Sequence, residues 1–196
     1  MRVTRMTVTA CLLTGLMLAL SAMSVGVAQA QATHFRWDIV SLSNSGPAIL
    51  PGGVAYGVAS DGSIIKLTGS GTFDLEVAYL VEGGGQWATY DADDNVTGQG
   101  TYTVTGLVRF DVAPGTLPAG IEDKISNPAN ARAGLAALEI KYNDGSQGIL
   151  FISCHLEETS TSVGEGITVS KGSVLFNRVA PLPVVDANHT LFHTGF

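Results

Sequence analysis

Cysteine is scarce in this chain of 196 residues, which contains only Cys11 and Cys154. Cys11 lies in an N-terminal segment that we expect to be removed, so the remaining domain would hold one cysteine and no internal disulfide. Exported domains without disulfides depend on their hydrophobic core. A chain of this length is long enough to bury such a core and short enough to form one domain.

Basic residues are also few. The chain has 10 Lys and Arg residues against 17 Asp and Glu residues, and its formal net charge is −7. A surface with this balance repels the phosphates of nucleic acids and the head groups of anionic membranes. We therefore expect neither nucleic acid nor a membrane surface as a partner of the folded domain.

Several motifs of catalysis and nucleotide binding are absent from the sequence. It has no Gly-x-Ser-x-Gly motif, no Gly-x-x-x-x-Gly-Lys-Ser/Thr loop and no Gly-x-Gly-x-x-Gly pattern that opens a helix. These motifs position a reactive serine or bind phosphates. Carboxylates such as Asp111, Glu157 and Glu165 are present, but their spacing does not reveal the paired geometry that glycoside hydrolysis needs. The sequence therefore specifies no reaction.

The first thirty residues have the three-part pattern of a secretory signal peptide. Two arginines lie within the first five residues, an uncharged apolar stretch runs to Val27, and Ala28-Gln29-Ala30 resembles a cleavage site. We predict cleavage after Ala30, which leaves residues 31–196 as a single exported domain, periplasmic or extracellular. An uncleaved membrane anchor is the alternative, because about 20 apolar residues can span a bilayer.

Apolar residues in the remaining chain recur at every second position, which is the period of a β-strand. Between residues 100 and 112, this alternation directs Tyr102, Val108 and Val112 to one side of a long strand. Residues 147–156 are apolar at both parities and predict a central strand. The period of an amphipathic helix is not found over a comparable length.

Turn residues separate the predicted strands. Asp61-Gly62 and Asp144-Gly145 each lie between two alternating runs and predict hairpins. Gly83-Gly84-Gly85 and Asp94-Asn95 predict two further turns, and residues 127–134 predict a helix of one or two turns. We therefore predict an all-β fold: a mainly antiparallel β-barrel or β-sandwich of about eight to ten strands, with at most one short helix.

Three segments carry a resemblance to known proteins. The stretches His34–Val40, Gly100–Phe110 and Ile152–Leu156 together resemble a group of exported bacterial β-rich proteins. The resemblance implies no activity. The glycine-rich antiparallel pattern is also similar in architecture to dirigent and allene-oxide-cyclase barrels, without a residue-level motif in common.

Asp91, Asp93 and Asn95 place oxygen-bearing side chains at alternate positions, as calcium loops do. Calcium needs six to eight oxygens, and an EF-hand loop has Gly at its sixth position and Glu at its twelfth. Val96 and Tyr102 occupy those positions here. The segment is a candidate calcium site, with a solvated hairpin turn as the alternative, and no other cofactor is predicted.

His189 and His193 would project from the same side of a strand or a helix, which makes them a candidate pair of metal ligands. A third ligand, such as His34 or His155, would be needed. The glutamate of the metalloprotease His-Glu-x-x-His motif is replaced by Thr190. Ordinary surface histidines near the C-terminus are the alternative.

Cys154 and His155 are adjacent, and adjacent strand residues point to opposite faces, so they cannot act as a nucleophile–base pair within a strand. Cys154 has the parity of the apolar positions and is predicted to be buried. His155 lies on the other face. If that face lines an apolar pocket, His155 is the candidate catalytic or ligand-binding residue, and otherwise it is structural.

The two tryptophans are the residues best suited to stack on a sugar ring. Trp37 shares the strand parity of Phe35 and Ile39, which predicts a core position. Trp87 follows three glycines and is the candidate ligand-binding tryptophan, with core packing as the alternative.

These observations favour a non-catalytic secreted β module that binds a small apolar molecule or a glycan. One alternative is a cell-surface or extracellular structural protein that self-associates. Another is a small-barrel enzyme of dirigent or cyclase architecture that uses His155. A large apolar pocket containing His155 would favour ligand binding or the enzyme, whereas a filled core with a flat apolar outer patch would favour self-association.

Overall fold

The computed structural model describes residues 32–43, 47–77, 79–179 and 186–195, and residues 31–196 belong to one structural unit. The predicted signal peptide, residues 1–30, lies outside the described residues. Within the described ranges no helix is long and apolar enough to cross a membrane.

β-Strands dominate the described residues, and the helical segment found among them is a single 3-10 turn at Pro128–Asn130. The thirteen strands are β1 (His34–Leu42), β2 (Ala48–Pro51), β3 (Ala55–Val58), β4 (Ile64–Leu67), β5 (Ser70–Asp74), β6 (Val81–Tyr90), β7 (Val96–Ala113), β8 (Glu122–Asp123), β9 (Ala131–Tyr142), β10 (Gln147–Cys154), β11 (Gly166–Lys171), β12 (Val174–Arg178) and β13 (His189–Thr194). The prediction of an all-β fold with at most one short helix is confirmed. There are more strands than the eight to ten expected because several are short, and β8 has two residues.

The strands pair into one sheet that closes on itself. Eight strands form a ring in the order β9, β10, β11, β12, β3, β4, β6 and β7, with β7 pairing back to β9. A second ring of β1, β5, β6, β7, β9 and β13 shares three strands with the first. The pairs are antiparallel, except that β8 runs parallel to β2. Closed pairing leaves few free strand edges to associate with other chains.

The glycine run Gly83–Gly85 lies within β6, so the predicted turn there is wrong. The first part of β6 pairs with β5, as at Gly83, and the part from Trp87 onward pairs with β4. The two rings therefore separate at these glycines. A Cβ atom on Gly85 would lie 1.9 Å from the backbone oxygen of Thr68, so no larger residue fits. Glycine is needed here for close approach of backbones.

Strand β7 confirms only the first part of the predicted alternation. Tyr102 is buried as expected. The register then shifts between Val104 and Gly106, and again between Leu107 and Arg109. Each shift leaves one extra residue of β7 unpaired, Thr105 at the first and Val108 at the second. Val108 is consequently 57% exposed, and the expectation that it points inward is wrong; Val112 is exposed as well.

The predicted hairpins at Asp61-Gly62 and Asp144-Gly145 are confirmed, since they join β3 to β4 and β9 to β10. The glycine of each pair has a positive φ, 86° and 90°. Each aspartate accepts a hydrogen bond from the backbone amide two residues later, at Ser63 and Ser146. Side-chain bonding of this kind is the reason that Asp favours turns.

Aromatic side chains hold β1, β5, β7 and β13 together. The ring centroid of Phe110 lies 4.7 Å from that of Phe35, 5.0 Å from that of Phe73 and 4.8 Å from that of Phe192. Tilted and edge-on contacts of this kind add to the free energy gained by burial. Trp37 is fully buried, as its parity predicted. This packing fixes the β1–β13 pair, which forms the floor of the site described next.

Candidate functional site

An open cavity of about 550 Å³ lies beside the β1–β13 pair, and we call it the apolar cleft. Most of its lining is apolar and comes from β1, β2, the segment 117–121, Leu156 and Leu191. Its polar lining residues are His155, Thr161, Glu165, His189 and Thr190. Small-molecule sites in proteins have volumes of roughly 300–1,000 Å³ and this mixture of side chains.

Strand β13, which contributes to the floor of the cleft, is paired with strands on both sides only in its second half. All of β13 pairs with β1, whereas β9 pairs only with Phe192 and His193. In the first half, the backbone amide of Thr190 donates to Oε1 of Glu165 at 2.5 Å. The hydroxyl of Thr190 donates to the backbone oxygen of Ser153 at 2.7 Å. Glu165 therefore takes the place that a neighbouring strand would occupy.

Glu165 provides the carboxylate that lines the cleft. Its Oε2 accepts a 2.5 Å hydrogen bond from the backbone amide of His155, and its Oε1 lies 3.0 Å from the Thr190 hydroxyl. Burial raises the pKa of Glu165 to about 7, while these hydrogen bonds and the charge of Arg178 act in the opposite direction. Desolvation disfavours the ionised form of a carboxylate. Near neutral pH, Glu165 is therefore divided between its ionised and protonated forms.

His155 lies one residue beyond β10 and lines the cleft with an exposed side chain. Its Nδ1 lies 2.8 Å from the backbone oxygen of Val163, which orients the ring. Cys154 is fully buried, as predicted. Burial raises the pKa of its thiol, and the charge of Glu165 adds to this shift.

The proposed metal pair, His189 and His193, occupies opposite ends of β13. His189 lines the apolar cleft, where burial lowers its pKa and Asp186 opposes that shift. His193 is fully buried, and its Nε2 lies 2.7 Å from Oδ2 of Asp123. Four residues of a strand span about 13 Å, which is too far for both rings to bind one ion. Across the described ranges, no group of three or more His, Cys, Asp and Glu residues is placed to hold a metal ion.

The calcium candidates lie in the turn between β6 and β7. Oδ1 of Asp91 accepts hydrogen bonds from the backbone amides of Asp93 and Asn95 at 3.0 and 2.9 Å. Its Oδ2 accepts from the Asn95 side chain at 3.0 Å. These bonds, led by the one from the Asn95 side chain, lower the pKa of Asp91. The carboxylate thus closes its own turn, and Asp94 takes a positive φ of 63° at the tip.

Trp87 packs in the core, the alternative considered for it. It is 5% exposed, and its Nε1 donates to Oδ1 of Asn143 at 2.9 Å. Tyr142 meets the ring edge-on, and Nζ of Lys171 lies 4.3 Å from the ring centroid. Trp87 also borders a second, more polar depression of about 540 Å³. Because Lys171 covers the ring, Trp87 offers little surface for stacking on a sugar.

The structure brings His155 and His189 into one cleft and adds Glu165, which sequence reasoning had left among several undistinguished carboxylates. Its sequence neighbours, Gly164 and Gly166, are equally typical of a solvated loop. Its hydrogen-bonding partners lie 10 and 25 residues away. Burial of Glu165 depends on these long-range contacts, so no local pattern could have shown it.

Comparisons with known proteins give no family for this chain. No family model matches it, and neither a curated protein nor a solved structure does. The geometry of the apolar cleft is therefore the basis on which a function can be assigned.

Proposed function

We propose that this protein binds a small, largely apolar molecule in the apolar cleft. The observation that supports this most is the concentration of apolar side chains, among them Leu42, Leu117 and Ile121, around a cavity that also contains a few polar groups. Leu42 is 43% exposed, so water contacts apolar surface there until a ligand covers it. Removing apolar surface from water is the main source of affinity for such ligands.

The contacts of the cleft support binding rather than catalysis. The buried thiol of Cys154, with its raised pKa, is a poor nucleophile. His155 uses Nδ1 in a contact with the Val163 backbone oxygen. Both oxygens of Glu165 accept backbone amides, an arrangement that also ties the end of β10 to β13.

A fluorescence titration tests this proposal. The probe is N-phenyl-1-naphthylamine, a neutral fluorophore whose emission rises in apolar surroundings. We expect saturable binding to the purified protein. Leu42→Arg would place a charge in the cleft, and Thr161→Trp would fill part of it, so each should weaken binding at least about tenfold.

The matched control is Leu175→Arg. Leu175 lies on β12, is 51% exposed and does not line the cleft. This variant introduces the same charge and should bind the probe as the wild type does. Equal binding by Leu42→Arg and the wild type, or no saturable binding to the wild type, would contradict the proposal.

We also propose that the domain acts outside the cytoplasm, after removal of residues 1–30. The proposal is supported by the charged, apolar and small-residue segments of the N-terminus. In the periplasm or outside the cell, such a protein would bind small molecules that are present there.

A further inference from the structure

We infer that the preferred ligands of the apolar cleft are aliphatic amines. Their cationic amino group would be bound by Glu165, and their apolar body would lie against the leucine and isoleucine side chains that line the cleft. This inference rests on the proposed function and adds the chemical class of the ligand.

The geometry of Glu165 leaves room for one more donor. Its Oε1 contacts both the amide and the hydroxyl of Thr190, and its Oε2 accepts the amide of His155. The two oxygens of a carboxylate offer about four acceptor positions. One position therefore remains on Oε2, and the residue lines the cleft. An ammonium group has donors and no acceptor, so it fits this position, whereas a ligand carboxylate does not.

The charges around Glu165 favour a cation. None of the described residues that line the cleft is a lysine or an arginine. Arg178 acts on Glu165 from an exposed position outside the lining. The chain as a whole has a net charge of −7, which attracts cations. A bound ammonium would supply the positive partner that a carboxylate in apolar surroundings needs.

Two other titratable groups near Glu165, Cys154 and His189, do not oppose the binding of a cation. His155 and His189 line the cleft, and Cys154 interacts with the Glu165 charge. Cys154 stays neutral because burial raises its pKa, and burial lowers the pKa of His189. At pH 8 the carboxylate of Glu165 is ionised and can bind an amine. At pH 5 it is protonated and carries no charge to attract an amine.

The test compares three ligands that share a ten-carbon chain: decylamine, decanol and decanoic acid. Each displaces N-phenyl-1-naphthylamine from the purified protein at pH 8, below the concentrations at which micelles form. Decylamine is cationic there, as lysine is. We expect it to bind roughly tenfold more tightly than decanol, because a charge-assisted hydrogen bond is stronger than a neutral one. Decanoate should bind most weakly.

Two further comparisons assign the preference to Glu165. In Glu165→Gln we expect the preference for decylamine over decanol to fall below about twofold, because the charge is removed. The matched control is Glu157→Gln, which removes the same charge from an exposed side chain outside the cleft and should keep the preference. In the wild type, the preference should also disappear when the pH is lowered from 8 to 5. This pH series needs no variant, so it holds even if Glu165→Gln folds poorly.

The outcomes separate the two proposals. If decanol and decylamine bind equally at pH 8, or if Glu165→Gln is well folded by circular dichroism and keeps the preference, the amine inference is wrong while the binding function stands. If neither the fluorophore nor any of the three ligands binds the wild type, the proposed function itself is wrong.

Discussion

The backbone amide of His155 donates a 2.5 Å hydrogen bond to Oε2 of Glu165. Through this contact, the residue that follows β10 is held against a carboxylate that also accepts the amide of Thr190 in β13. Glu165 thus joins two strands across the floor of the apolar cleft. The same carboxylate is half-buried, and its raised pKa records the free energy lost by removing a charge from water.

Glu165 should make the protein less stable as the pH rises. Its pKa is about 7 in the folded protein against 4.5 for an ordinary glutamate, so the folded state binds the proton more tightly than the unfolded state does. Between these values, the free energy of unfolding falls with increasing pH. Allowing for partial exposure, we expect a loss of about 2 kcal/mol from this group.

Urea unfolding at pH 5 and pH 8 measures this effect. Other groups also titrate, so the quantity of interest is the difference between the wild type and Glu165→Gln. The decrease from pH 5 to pH 8 should be smaller in the variant. A decrease of the same size in both proteins would show that Glu165 has an ordinary pKa.

The buried contact between Asp123 and His193 should stabilise the fold. Both side chains are fully buried, and Asp123 also accepts hydrogen bonds from the amides of Ile125 and Ser126. Asp123→Asn keeps the shape but removes the charge, and we expect it to lower the free energy of unfolding by about 2–3 kcal/mol. The neighbouring exposed residue provides the control: Glu122→Gln should cost less than about 1 kcal/mol. Similar losses in the two variants would contradict this account.

The branch point of the two rings should not tolerate a side chain. A Cβ atom on Gly85 would lie 1.9 Å from the Thr68 backbone oxygen, and neither group is flexible. We expect Gly85→Ala to lower the free energy of unfolding by at least about 3 kcal/mol. Gly120 has a positive φ but open space around it, so Gly120→Ala should cost only about 1 kcal/mol. Thermal unfolding of both variants distinguishes close contact from backbone strain.

Cleavage of the predicted signal peptide would lower the mass of the exported protein by that of residues 1–30. Expressed in a bacterium that has the general secretion pathway, the exported protein should begin at Gln31. Intact mass spectrometry checks this, with Ala30→Leu as a variant that signal peptidase should process poorly. Exported wild-type protein that retains Met1 would show that the segment is an anchor.

The elements that were predicted correctly depend on local chemistry. The Asp-Gly hairpins at residues 61–62 and 144–145 and the core position of Trp37 follow from turn preferences and from alternation within single strands. The errors arose where distant strands decide the geometry. A bulge in β7 left Val108 unpaired and exposed, and the branching of β6 placed three glycines inside a strand.

The candidate site was predictable only in part for the same reason. His155 was singled out as a polar group next to an apolar strand, and it does line the cleft. Glu165 makes its contacts with His155 and with Thr190 of β13, which are far from it in sequence. Residues with such partners become recognisable only when the chain is folded.

The measurement that tests the central claim most directly is methyl NMR of the isotope-labelled protein during titration with N-phenyl-1-naphthylamine. We expect shift changes in the methyl groups of Leu42, Ile49, Leu117, Ile121 and Leu191, which line the apolar cleft. The methyl groups of Val174 and Leu175 on β12 should not change. Changes centred on β12, or spread evenly over exposed methyl groups, would contradict a binding site in the cleft.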